Sequence, residues 1–395
     1  MKRKDKGRKI YKTKEKNYYD KSPVVKFMSN LLTVLLIGGI GFIGYSVAGP
    51  MIDFSQHKGD EPVEPSTYEP VETTEASETS DIDTEATSES KTKNEIGYTA
   101  AVIDEEDMTS LKTLQAALEA VPKNKGIEYV EIPLKATGGE ICYASKVDKA
   151  EKAEAVKSSL TLEQITESVK KSGFKPAATV STFQDNILPV KFPETSYWTV
   201  SDNKIWFDKN EKPWTAPYSQ DALDYILEII SEIFSSGFDK IICSDFTYPE
   251  FSERDLENLE ERLSQSDRFM SLTSAANLFY DVIISNGASM FIEVSATDIL
   301  SGNAEILQPM ILSADNIILN INLDELSRGV SAEHTFYEFK GSSSEKTDKC
   351  LGFVSDKLSD FNVSVRISGE SLTTEELLNA KEVIADYGYN SFVIG

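Results

Sequence analysis

A carboxylate closing an apolar run is the first feature of this chain that calls for a chemical explanation. Residues 236–249 turn at Gly237, run apolar from Ile241 to Cys243, and then deliver Asp245 ahead of Phe246-Thr247-Tyr248-Pro249. An ionised Asp is costly to desolvate without partners, so a buried strand has no use for one at its end unless it binds something. The plain structural reading is that Asp245 caps the following segment or pairs with a nearby cation. Not far upstream lie the chain's three tryptophans, Trp198, Trp206 and Trp214, with Tyr197 and Tyr218 beside them. Aromatics lining a cleft stack on sugar rings, and the same aromatics under a long loop form a satellite core. Other chemistries lack their parts. The only histidines are His57 and His334, no Cys-x-x-Cys spacing exists, and the three cysteines cannot all pair. Metal sites and Ser/His/Asp hydrolysis are therefore unsupported, and Cys142, Cys243 and Cys350 read as small buried hydrophobes.

The elements that must position Asp245 alternate regularly. Strands are expected over Tyr98–Ile103, Gly126–Leu134, Ala177–Phe183, Lys240–Cys243, Met290–Val294, Ile317–Ile321, Val363–Ile367 and Phe392–Ile394. Amphipathic helices are expected over Thr109–Ala120, Leu162–Ser172, Tyr218–Ser235, Phe269–Ser285, Ala304–Leu312, Asp348–Leu358 and Thr374–Tyr387. Continuous apolar strands separated by such helices imply a parallel sheet covered by helices. Eight repeats in this length match a closed (β/α)8 TIM-like barrel better than an open doubly wound sheet, which remains the alternative. In a barrel, Asp245 stands at the catalytic rim, the C-terminal ends of the strands. Long loops follow strands two, three and six, and the second of them holds an apparent hairpin pairing Tyr197–Val200 with Lys204–Phe207. No Gly-x-Gly-x-x-Gly follows strand one and no Walker motif occurs, so nucleotide binding and cofactors are not expected.

Charge divides what precedes the barrel. Residues 1–26 carry eleven Lys/Arg against three acids and read as a basic cytoplasmic tail. Residues 27–50 contain no charge and are long enough to span a bilayer, with the chain after Pro50 outside the cell. A cleaved signal peptide, using Ser46-Val47-Ala48, is the competing reading. Residues 51–95 hold thirteen acids among Ser, Thr and Pro and too few apolar side chains to fold; they read as a disordered spacer. The barrel takes 96–395. A net charge of −25 argues against nucleic acid as a partner.

The stretch from Ala178 to Pro249 resembles a bacterial family of glycoside-hydrolase-like proteins, a domain of unknown function with a TIM-barrel fold. Family members read "GFDEIQFDYVRFP" where this chain has Gly237 to Pro249, with Asp245 kept and the arginine replaced by Thr247. Their "ARIVVFKD" falls on Ala178 to Asp185, and their "WVDPYS" on Trp214 to Ser219. A weaker match places "IDVKDDTGEI" on Ile132 to Ile141, where Pro133 and Ala136 stand at two family aspartates. At strand five the family's aspartate becomes Glu293, and the closing "WN" type signature is absent around Phe392-Val393-Ile394. The resemblance thus covers most of Tyr98–Gly395 and implies a polysaccharide or cell-wall glycan as partner.

Glycoside hydrolysis uses two carboxyl groups, an acid and a nucleophile or base. On adjacent strands, Asp245 is the expected nucleophile or base and Glu293 the expected acid, its pKa raised by apolar surroundings. Asp185 is expected to bind a sugar hydroxyl or to orient Asp245. Substrate-binding candidates are Trp198, Trp206, Trp214, Tyr218, Tyr248, Asn320, Arg366 and Lys135. Glu293 has a structural reading too, facing the helices or pairing with Lys135 or Arg366. The function implied is a membrane-anchored, extracellular glycosidase; the alternative, suggested by the lost polar positions, is a catalytically inactive barrel that binds glycan or serves the cell envelope.

Overall fold

Eight short strands pair edge to edge until the last meets the first. The computed structural model describes residues 97–123, 126–259, 263–302, 311–332, 335–369 and 372–394. The strands are β1 Ala100–Val102, β2 Tyr129–Lys135, β3 Lys175–Ser181, β4 Lys240–Ser244, β5 Ser289–Ser295, β6 Asn316–Asn322, β7 Asn362–Ser368 and β8 Phe392–Ile394. All neighbours are parallel, and β1 pairs with both β2 and β8, so the sheet closes. The expected (β/α)8 barrel is the fold, and the open sheet is excluded. The basic tail, the apolar segment 27–50, the acidic spacer, most of the helix expected over Ala304–Leu312, and His334 lie outside the described residues. No helix of the described residues is long and apolar enough to cross a membrane.

Local sequence sets the element ends. Ser110, Thr161, Ser342 and Thr373 each accept from a backbone N–H three residues on, and the side chain at that third position bonds back. Such reciprocal boxes satisfy backbone donors that a helix start leaves orphaned. The Ser342–Glu345 box starts a helix at Ser343, five residues before the expected Asp348, and a 3-10 turn over Ser355–Leu358 finishes it. After β5 a helix begins at once, Ala296–Ser301, and stops at left-handed Gly302. Pro133 interrupts β2, where the pairing with β3 shifts register between Pro133 and Lys135; proline cannot donate to the ladder and so favours such irregularities.

Alternation along the strands separates two cores. Outward side chains pack under the helices in one large apolar cluster that takes in Cys142, Cys243 and Cys350, all three buried and unpaired as expected. Inward side chains Ala100, Tyr129, Ala177, Ile242, Phe291, Ile318 and Val393, with Tyr98 at the entrance to β1, fill the barrel's interior. Only β7 gives no apolar side chain here; buried Ser364 donates its hydroxyl to the Tyr98 carbonyl.

Candidate functional site

Two residues beyond each interior plug residue, a strand presents the same face one layer nearer its C-terminal end. Applied to β2, β3, β5, β6 and β7, that step runs from Tyr129, Ala177, Phe291, Ile318 and Ser364 to Glu131, Thr179, Glu293, Asn320 and Arg366. The barrel is therefore apolar at its floor and polar just below its mouth.

Arg366 links this layer. Its guanidinium pairs with Glu131 through one nitrogen and with Glu293 through the other, the latter at 2.5 Å. Glu131 is fully buried and also accepts from the Tyr98 hydroxyl at 2.9 Å. The second oxygen of Glu293 accepts from Asn320 at 2.8 Å, and Ser368 donates to Asn320 in turn. Burial pushes the Glu293 carboxyl above its ordinary value; Arg366 pulls it back, while the charges of Glu131 and Asp245 push it further up. Glu293 thus faces the barrel interior, within the field of Asp245, and not the helices. Both of its oxygens are engaged, so giving up a proton from this position requires the Arg366 pairing to loosen.

Asp245 follows β4, and among the described residues it neither caps a helix nor makes an ion pair. Its Oδ2 accepts from the Ser181 hydroxyl at 2.6 Å and from the Thr137 hydroxyl at 2.9 Å. Among the described residues nothing donates to Oδ1. Its backbone sits at φ 51°, in the left-handed region that non-glycine residues seldom occupy. Strain of this kind persists where surrounding structure over-determines it, as at functional sites. The Asp245 carbonyl is fixed from below by the Thr182 hydroxyl.

Asp185 and Lys135 stand behind this carboxylate, out of reach of a ligand. Both are about 1% exposed and they pair at 3.0 Å. Lys135 also donates to the Ser181 carbonyl at 2.8 Å, and Asp185 accepts from the backbone N–H groups of Ile187 and Leu188. Of the two roles expected of Asp185, the geometry fits orienting Asp245, and Lys135 shares that role in place of a sugar contact: Asp185 holds Lys135, Lys135 holds the Ser181 carbonyl, and the Ser181 hydroxyl holds Asp245. Gly138 and Gly139, at φ 95° and 101°, lay the loop after β2 against the loop after β3, where the Gly138 N–H bonds the Gln184 carbonyl. A side chain on Gly139 would meet the Asp185 carboxylate at 2.2 Å.

The aromatic loop divides as its residues pack. Trp206 is buried, edge-on to Tyr197 at 6.1 Å and against Phe251 at 4.8 Å, and so belongs to a satellite core. Tyr218 and Tyr248 join it through Tyr197, and the Tyr248 hydroxyl meets Ser271. Trp198 and Trp214 are half-buried, with indole N–H groups bonded to the Pro193 carbonyl and to Asp208. The expected hairpin forms between Trp198–Thr199 and Lys204–Ile205. Beside it, a pocket of about 370 Å³ opens between Thr247, Tyr248, Phe251, Arg268 and Asp298. Burial raises the Asp298 carboxyl to about 6, helped by Glu325 and Glu250.

Three residues of the site were not singled out by the sequence: Glu131, Thr137 and Ser181. Glu131 alone left a signal, an acid inside an apolar strand with the parity of an interior position. No group among the described residues has the make-up of a metal site.

Residues 101–306 match the family described as "Putative glycosyl hydrolase domain", just over half of the chain. The chain belongs to this family. The match runs from β1 to just beyond the helix after β5, and so takes in Glu131, Thr137, Ser181, Asp245 and Glu293. Among solved structures, the PgaB (BpsB) glycoside hydrolase domain from Bordetella bronchiseptica aligns over 75% of this chain and 93% of its own, at 9% identity and TM-score 0.52. A hypothetical protein from Ruminiclostridium thermocellum aligns over 49% of this chain and 96% of its own, at 18% identity and TM-score 0.42. At these identities the first likeness is one of fold. No curated protein matches.

Proposed function

We propose that this barrel hydrolyses glycosidic bonds of a polysaccharide at its C-terminal mouth, with Asp245 as nucleophile or general base. The observation that carries the reading is the seating of Asp245: two hydroxyls orient one carboxylate oxygen, the other has no described donor, and the backbone beneath is strained. Oriented carboxylates of this kind act on an anomeric carbon directly or through water. A second carboxyl must act as acid. Glu293, the candidate from the sequence, is supported by its inward placement and raised pKa, and takes the role on condition that Arg366 releases it. Membership of a glycosyl hydrolase family supports the reaction class. The apolar segment 27–50 behind a basic tail supports an anchored barrel displayed outside the cell and acting on cell-wall or environmental glycan.

The engaged oxygens of Glu293 favour one second reading, a barrel that binds glycan without cleaving it. Incubation of the full chain with a panel of cell-wall and exopolysaccharide glycans separates the two. New reducing ends support hydrolysis; retention on immobilised glycan without new ends supports binding alone.

A further inference from the structure

The guanidinium of Arg366 leaves one buried nitrogen unused. Nη2 bonds Glu131 and Nη1 bonds Glu293 at 2.5 Å, while buried Nε meets no acceptor among the described residues. An orphaned buried donor is destabilising and calls for an explanation. The two acids that share Arg366 also differ in reach. Glu131 is fully buried and accepts from the Tyr98 hydroxyl at 2.9 Å, whereas Glu293 keeps 13% of its side chain exposed. Tyr98 is itself seated against Tyr129 and Phe291, with ring centroids 5.1 and 4.7 Å away. Glu131 is thus the fixed partner of Arg366, and Glu293 the one that a substrate can meet. A guanidinium presents Nε and one Nη as a side-on fork that fits both oxygens of a carboxylate. Turning away from Glu293 brings Nε toward Glu131 and completes such a fork.

We propose that Arg366 is a two-position switch and Glu131 the positioning residue that works it: Arg366 bridges both acids while Glu293 is ionised, and closes on Glu131 as a bidentate fork when Glu293 carries its proton. The proposal rests on the reading of Glu293 as the acid that partners Asp245. With Asn320 donating to one oxygen and Arg366 to the other, Glu293 is held as an acceptor on both sides. A proton turns one of those oxygens into a donor, which cannot face Nη1, so the guanidinium must move. Glu131 gives the displaced charge a paired place to go. In the step this prepares, the electron pair of the glycosidic bond goes to the leaving oxygen, which takes the Glu293 proton. Water bonds to the anomeric carbon and loses its proton to Asp245. Glu293 ends as carboxylate and pairs again with Arg366, Asp245 ends as carboxylic acid, and exchange with solvent restores both.

The charges around Glu293 give the switch a direction. Burial raises its carboxyl; Arg366 from β7 lowers it, and Glu131 from β2 and Asp245 after β4 raise it further, with the Asn320 amide from β6 lowering it. Removing the charge of Glu131 takes away one raising charge and leaves Arg366 to Glu293 alone. Both changes lower the Glu293 carboxyl. A residue that only filled space at Glu131 would leave it where it is.

Infrared titration of the full chain follows the carbonyl band of protonated carboxyls, and the part lost in Glu293→Gln belongs to Glu293. Glu131→Gln keeps an acceptor for Tyr98 and removes the charge. It is expected to move the Glu293 midpoint to lower pH by about one unit or more. An unmoved or raised midpoint overturns the switch. On any glycan the wild type cleaves, the alkaline limb of the kcat profile should shift the same way, with kcat at neutral pH down by about 10-fold. An unshifted limb overturns the proposal and leaves the hydrolase reading intact. Should Glu131→Gln fail to fold, crystal structures of the wild type on either side of the Glu293 midpoint decide. Below it Arg366 is expected off Glu293 and bidentate on Glu131 through Nε; a guanidinium still on both acids overturns the proposal. Wild-type chain that cleaves nothing sinks the hydrolase reading instead, and the titration still decides whether the switch exists.

Discussion

Ser181, the last residue of β3, donates its hydroxyl to Asp245, the first residue after β4, at 2.6 Å. The bond ends a line that starts in the core, where buried Asp185 pairs with Lys135 and Lys135 holds the Ser181 carbonyl. A carboxylate supported in this way keeps its direction without spending its own entropy at each encounter with substrate. Ser181→Ala removes the donor and leaves the strand. The expected result is a loss of about 10-fold in kcat/KM, with unfolding free energy down by about 1–3 kcal/mol. Glycan hydrolysis and denaturant unfolding measure the two effects separately.

Arg366 carries the charge balance of the barrel interior, one guanidinium between two carboxylates. Arg366→Met keeps much of the volume and strands Glu131 and Glu293 as unpaired buried acids. Removing one partner of a buried pair costs about 3–5 kcal/mol. Urea unfolding should show that loss at neutral pH and a smaller one in mild acid, where the Glu293 carboxyl, raised by burial, can take up a proton. Equal losses at both pH values would mean the guanidinium contributes packing and not charge.

Gly139 sits at φ 101° with no room beyond its own hydrogen. In Gly139→Ala the new methyl meets the Asp185 carboxylate at 2.2 Å, so the loop carrying Thr137 must move. Strained backbone plus the clash should cost about 2 kcal/mol or more. Activity should fall further than stability accounts for, because Thr137 is displaced from Asp245. Full activity in a destabilised variant would separate the loop from the site.

Much of this molecule was legible in the sequence because the barrel repeats a pattern that burial enforces. Apolar runs at Ile241–Cys243 or Ile317–Ile321 admit no other placement, and capping residues such as Ser110 and Thr161 mark where helices begin. The site was less legible. Asp245 announced itself as a charge at a strand end. Asp185 and Lys135 gave no sign that they would pair with each other, since burial of both depends on two loops meeting at Gly138. Thr137 is a polar residue in a loop, and only barrel closure brings it to Asp245. The tryptophans looked alike in sequence, yet Trp206 is committed to packing against Tyr197 and Phe251.

Asp298 gives the pH dependence a clear sign. Its carboxyl is raised to about 6 by burial, with Glu325 and Glu250 adding to it. Between the ordinary carboxyl range and pH 6, the folded chain holds a proton that the unfolded chain has released. Stability from this group is therefore present at low pH and is lost as pH rises through that window. Asp298→Asn should remain more stable than wild type at pH 7 and lose the difference near roughly pH 4. Paired urea midpoints across the range test this, and a difference that does not vary with pH would contradict it.

The most direct measurement is hydrolysis by full-length wild type and Asp245→Asn on the same glycan, with thermal unfolding as the control for folding. Asn keeps the shape of the side chain and its contact with Ser181 while removing the charge that acts on the anomeric carbon or on water. The expected result is a folded variant that binds the glycan and releases new reducing ends at least about 1,000-fold more slowly. A folded Asp245→Asn that hydrolyses at the wild-type rate would remove Asp245 from the mechanism and contradict the site described for this barrel.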